Sequence, residues 1–220
     1  MTEDDNHEAI FGYDENGKVN FIDKITTQLE FVEGVEIARR YLAMNSFDGV
    51  LPVMGIVLGG IISLANSAPE SVYTTTLLAA VGTGLAMFVS GISSSYLTEK
   101  AERRREFKEL EQSMLSDLSK SAYAKATRTA TIVVSLINGL SPALSVTATI
   151  APLILVPLGV ASVFSAFIYC VAAGLVLLFI LGMFLGSVSK TNIIAYGFKT
   201  LAAGFVVVIL MWLISLFTGT

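Results

Sequence analysis

Asp48 is the only acidic residue placed where a membrane span can hold it. A carboxylate at the centre of a spanning helix costs about 2.5–3.5 kcal/mol on insertion scales, so such a residue is a functional candidate by default. Pro52 follows four residues later and has no N–H, which leaves the Asp48 carbonyl without its usual helical donor. A carboxylate and a free carbonyl on one residue are hard oxygen donors suited to a metal cation. Asn45-Ser46-Phe47-Asp48-Gly49 is equally a helix-start pattern, in which Asp48 would cap a span at the interface. Asn138 and Pro142 repeat the i, i+4 arrangement, and with Gly139 and Ser141 they read as a broken or kinked helix. Interrupted helices of this kind line transporter sites; a kink satisfied by hydroxyl side chains and water is the plainer reading.

Met54 and Met87 would add thioethers, which suit soft and borderline metals but are also ordinary packing residues. Ser90, Ser93, Ser94 and Ser95 give one apolar stretch a polar end, for a path or for close helix approach. Glu99, Glu102, Glu106 and Glu109 recur at spacings of three and four, which puts them on one helical face. They form either an acidic ridge that gathers divalent cations or an exposed helix braced by pairs such as Glu99–Arg103. Gly55 and Gly59, like Gly182 and Gly186, are small-xxx-small pairs that permit close helix packing or dimerisation. His7 is the only histidine, in an acidic tail, and Cys170 is the only cysteine, read as a packing residue. There is no Walker loop, nucleophile elbow, His-rich zinc motif or GxGxxG, and no catalytic pair, so an enzyme is not expected.

The elements that must position these residues follow from composition. Only 15% of the 220 residues are charged and 54% are hydrophobic, where a soluble domain is about 25% charged. Nearly all the charge lies in residues 1–48 and 99–128. A span needs about 20 apolar residues. Five segments qualify: Val50–Asn66 (or from nearer Tyr41), Val72–Leu97, Ala130–Leu158 with three prolines, Val160–Val188 and Ile193–Phe217. The third and fourth are separated only by Leu158-Gly159 and read as one broken hairpin. The expected fold is an all-α, five-span bundle.

Five spans also sort the charge. Arg39 and Arg40, the basic residues between Lys100 and Arg128, and Lys190 and Lys199 all fall on one side. The other side receives no Lys or Arg, and its only acid is Glu70. The positive-inside rule then puts the N-terminus in the cytoplasm and the C-terminus outside. The first twenty residues have neither a basic nor an apolar signal region, so the first span is expected to direct insertion. Residues 1–44 read as an acidic cytoplasmic segment, with Asp14–Gly17 as a turn. Phe21, Ile25, Leu29, Val32 and Ile37 mark an amphipathic helix running to Met44. Residues 45–220 read as the membrane domain. Its loop 99–128 is a helical cytoplasmic extension of span two, with Phe107, Leu110, Met114 and Leu118 as an apolar stripe.

Taken in order, four pieces resemble the vacuolar iron transporter family, in particular its short archaeal-type members, over about residues 36–217. They are Arg-Arg-Tyr at 39–41 leading to Asn-Ser-Phe-Asp-Gly at 45–49; Gly-Ile-Ser-Ser-Ser-Tyr-Leu-Thr-Glu-Lys-Ala-Glu-Arg-Arg-Arg-Glu at 91–106; Gly-Leu-Ser-Pro-Ala at 139–143; and the Gly-xxx-Gly end of span four followed by a fifth span. The resemblance implies a homodimer that exchanges Fe²⁺ or Mn²⁺ for protons along a path near the dimer axis, with Asp48 on that path and Met87 as the matching methionine. It departs from the family where Gly91-Ile92-Ser93 replaces a Gly-Glu-Tyr element, and its cytoplasmic loop is shorter and less acidic. The expected function is secondary transport of iron or manganese, with no bound cofactor and no nucleic-acid partner, in a cell membrane. The alternative is a non-transporting scaffold of the same fold that docks a partner through residues 1–44.

Overall fold

The computed structural model describes residues 21–115, 117–118 and 121–218. His7, the 14–17 turn, Lys120 and the last two residues lie outside them. Among the described residues there are six α-helices and no strand. They are α1 (Phe21–Phe31), α2 (Gly34–Ser63), α3 (Pro69–Met114), α4 (Ala122–Ile150), α5 (Val163–Val188) and α6 (Ile193–Thr218), with a 3₁₀ turn over Ala151–Leu155. The last five α-helices are each long and apolar enough to cross a membrane. The protein is a multi-pass membrane protein of all-α class.

Three boundaries differ from the expected ones. The amphipathic stretch is not one helix: Glu33 takes a left-handed φ of 55° and separates α1 from α2. The third apolar run stops being α-helical at Ile150, where Pro152 follows and the chain tightens into the 3₁₀ turn. It then turns at Gly159, whose φ of +70° an L side chain rarely adopts, and Ser162 caps α5 by accepting from Ser165 N–H at 3.2 Å. Finally, α4 is not broken at Pro142, which sits inside a continuous helix.

The second apolar run and the charged loop as far as Met114 form a single helix, whereas residues 122–128 of that loop already belong to α4. At 46 residues α3 is roughly 69 Å long at 1.5 Å per residue. A bilayer with its headgroups is about 40–45 Å thick, so α3 is longer than a bilayer is thick.

The chain divides into two compact units. The first comprises the described residues up to Leu42 together with Ser90–Asn138. Its core is Leu29 and Val32 against Ala126 and Ala130. The stripe residue Phe107 stacks on Tyr123 at 6.2 Å between ring centroids, and Phe31 meets the same ring edge-on. Alanines on α4 leave room for the larger side chains of α1, and the aromatic rings close the cluster.

The second unit comprises Ala43–Val89 and Gly139–Thr220. Val53, Val57, Val72, Ala80, Val146, Phe167 and Cys170 form one buried cluster; Val50, Met54 and Leu178 form another. With no water to drive helices together in lipid, close packing must do so, and small residues permit it. The Gly182/Gly186 pair on α5 serves this purpose against α6. A Cβ on Gly186 would lie 2.7 Å from Ile193 Cα, and one on Gly182 would lie 2.8 Å from Gly197 Cα. Thr200 Oγ1 donates across the same contact to Leu178 O at 2.8 Å. The outer face of α6 carries Phe198, Phe205, Ile209, Leu210 and Trp212 uncovered, a surface suited to lipid rather than water.

Candidate functional site

Asp48 lies fourteen positions into α2, which begins at Gly34. The helix-start reading of Asn45–Gly49 is therefore corrected: the helix is already formed there, and Asp48 caps nothing. Fifteen residues separate Asp48 from the helix end at Ser63, roughly 22 Å at 1.5 Å per residue. That distance is shorter than the about 30 Å of hydrocarbon a span must cross.

Asp48, Pro52, Gly55 and Gly59 are spaced four, three and four apart, so they share one face of α2. Among the described residues that face is largely uncovered. Asp48 and Pro52 are exposed, nothing lies within 4 Å of a Cβ built on Gly55, and at Gly59 the nearest atom is the Met211 methyl at 3.7 Å. The neighbouring glycine is different. A Cβ on Gly49 would stand 2.5 Å from Pro142 O and 2.9 Å from Pro142 Cα. Gly49 thus lets α2 and α4 touch backbone to backbone, and turns Asp48 away from that contact. The two motifs Asn-Ser-Phe-Asp-Gly and Gly-Leu-Ser-Pro-Ala meet at this point. The shared face of Asp48 with the two glycines was visible in the spacing, because 4-3-4 is helical periodicity, but it emerges only once Asp48 is known to be interior to the helix.

The other candidates are elsewhere. Met54 is fully buried beside Leu178, and its Sδ would be 2.7 Å from a Cβ on Gly174. It fills a glycine notch and does not join Asp48 on the open face. Met87 packs, partly buried, against the cluster around Val53 and Phe167.

Asn138 belongs to the other unit, where its Nδ2 donates to Gly91 O at 2.9 Å and ties α4 to α3. Among the serines, Ser94 Oγ donates back to Ser90 O, while Ser95 Oγ is buried with no partner among the described residues.

Three of the four glutamates share a groove, and each differs in its partners. Glu99 is buried; it accepts from Tyr41 Oη at 3.2 Å and from Arg103 Nε at 3.3 Å. Glu102 and Glu109 flank the exposed Arg105 at 3.9 and 3.7 Å. Glu106 lines a groove of about 450 Å³ with Glu99, Glu102, Arg40 and Tyr41. Among the described residues no three His, Cys, Asp or Glu side chains are grouped to hold a metal ion.

The chain is 32% identical over 183 residues to the uncharacterized protein MJ0645 of the archaeon Methanocaldococcus jannaschii, covering 82% of this chain and 90% of that one. It belongs to that protein's family. The match spans nearly the whole of the relative, so the common unit includes most of the helical bundle. No family model matches the chain, and no solved structure does.

Proposed function

We propose that the chain is a secondary transporter of divalent metal cations, iron or manganese, coupled to protons and working as a homodimer, as its resemblance to the vacuolar iron transporters implies. One observation carries the reading: Asp48 is exposed on a face of α2 that the other described residues leave largely uncovered, in line with two glycines. A carboxylate facing lipid is costly. A second copy packed along Gly55 and Gly59 would cover it and bring two Asp48 carboxylates toward one axis. Two carboxylates, with the carbonyls released by Pro52, make a hard-oxygen path for a divalent cation. The N-terminus and the charged end of α3 are cytoplasmic in this reading, as the distribution of Lys and Arg supports.

The test is Mn²⁺ and Fe²⁺ flux into proteoliposomes, wild type against Asp48→Asn. Flux that vanishes in the variant supports transport through Asp48. Equal flux in both removes Asp48 from the path.

A scaffold without transport is the second reading. Glu99 is paired with Arg103, and Glu102 and Glu109 share the single Arg105, so three of the four ridge glutamates already face an arginine. No flux from folded wild type, with or without a pH gradient, favours that reading.

A further inference from the structure

Where α3 and α4 leave their apolar stretches, they enclose a groove of about 320 Å³ lined by Lys100, Arg103, Arg104, Phe107, Thr127 and Arg128, with Ala124 and Thr131 at its edge. Four of the lining residues are cationic and none is acidic. Glu99 meets Arg103 through Nε at 3.3 Å, and Glu102 and Glu106 lie with Arg103 along the neighbouring groove rather than in this one. Arg103 is nevertheless incompletely satisfied. Its side chain is only 6% exposed, and its Nη2 is buried with no hydrogen-bond partner among the described residues. Thr127 Oγ1 is buried and unpartnered in the same way. Buried polar groups are almost always hydrogen-bonded, so two orphan donors lining one basic groove point to a missing acceptor.

The acceptor's chemistry follows from the groove. It must be anionic, since three further cations surround Arg103. It must offer several oxygens, to meet a guanidinium and a hydroxyl together. The groove lies at the level where Leu97 ends one apolar stretch and Ala130 begins another, which is headgroup depth for a spanning helix. Phe107 and Ala124 give it an apolar wall, and α4 begins at Ala122, so its N-terminal turn adds positive potential. We infer that this groove binds a phosphate group through Arg103, Thr127, Arg104 and Arg128. The phosphate belongs either to an anionic phospholipid or to a soluble phosphate.

Full-length protein in detergent is titrated with short-chain phosphatidylglycerol and with phosphatidylcholine of equal chain length, read by native mass spectrometry. Inorganic phosphate is titrated separately by calorimetry. Arg104→Gln with Arg128→Gln removes two exposed cations and leaves the Arg103–Glu99 pair intact. Binding in this double variant is expected to fall about thirtyfold, from roughly a factor of five for each basic residue. Thr127→Val, which keeps shape and charge, is expected to weaken binding about fivefold. Loss of phosphatidylglycerol binding assigns the lipid source; loss of inorganic phosphate binding without a lipid preference assigns the soluble one. If circular dichroism shows the double variant unfolded, Arg128→Gln alone is used, with about a fivefold effect expected. The inference is overturned if folded variants bind both probes like wild type, or if neither probe binds wild type. It is also overturned if Thr127→Val has no effect while the arginine variants do, because diffuse surface charge would then explain the binding.

Discussion

Gly49 and Gly55 stand on the same helix, six residues apart, yet the same change at each is expected to act oppositely. A methyl on Gly49 would lie 2.5 Å from Pro142 O, 2.9 Å from Pro142 Cα and 3.0 Å from Ser145 Cβ. Two of those atoms are backbone, so a rotamer change cannot relieve the contact and α2 must move from α4. Overpacking of this kind costs about 1–3 kcal/mol, while replacing a helix-interior glycine by alanine returns about 1 kcal/mol. Gly49→Ala is therefore expected to destabilise by about 1 kcal/mol, and by up to about 2 if α4 does not yield. At about 2–4 °C per kcal/mol for a chain of this size, the midpoint falls by roughly 2–8 °C. Gly55→Ala meets nothing within 4 Å in its own chain, so it retains the helix gain, and the midpoint of the dilute protein holds or rises. The assay is thermal unfolding in detergent followed by the fluorescence of Trp212, the single tryptophan. A second arm uses Gly55→Leu in liposomes at low density, counting subunits by single-molecule photobleaching. A folded protein with a reduced dimer fraction is expected. The reasoning is refuted if Gly49→Ala melts at or above wild type while Gly55→Ala melts below it. Unchanged dimerisation in Gly55→Leu refutes the assignment of the open face.

Three further outcomes are expected. Glu99→Ala removes the acceptor of both Tyr41 and the buried Arg103; stranding a buried charge costs about 3–5 kcal/mol. Glu109→Ala, on an exposed pair, changes stability by no more than about 0.5 kcal/mol, and equal midpoints for the two variants would contradict the burial of Glu99. Gly186→Leu drives side-chain atoms into the Ile193 backbone. It should abolish the monodisperse peak in size-exclusion chromatography, which Gly59→Leu should preserve at dilution. Asp48→Asn should keep expression and thermal stability while losing Mn²⁺ flux, and a variant that unfolds instead would make Asp48 a structural residue.

The helical class and the five apolar helices were legible because the bilayer imposes a length. No other soluble or fibrous arrangement needs five runs of some twenty apolar residues with the charge gathered between them. The continuity of α3 was legible for a related reason, since the stripe of Phe107 and Leu110 carries the helical period past Leu97 without a Gly or Pro to stop it. Local signals failed where two meanings share one spelling. Asn-Ser-x-Asp-Gly starts helices, yet here Val35 to Met44 are helical before it. The stretch before Glu33 is amphipathic enough to continue, yet the chain breaks there, and only the Gly at 34 hints at it.

What spacing cannot supply is height on a face and the identity of the covering neighbour. Glu99, Glu102, Glu106 and Glu109 share a face of α3, but Tyr41, 58 residues away in sequence, reaches only Glu99. That contact turns one member of an apparent acidic ridge into the buried partner of Arg103, and leaves Arg103 with a second nitrogen to satisfy elsewhere. The ridge and the basic groove are consequently two sides of one residue. Anything that frees Glu99 for a cation must also unseat Arg103, and anything that satisfies Arg103 from the groove steadies Glu99 against metal. Asp48 lies apart from this network, exposed on α2 in line with Gly55 and Gly59, which is why the transport reading rests on that residue.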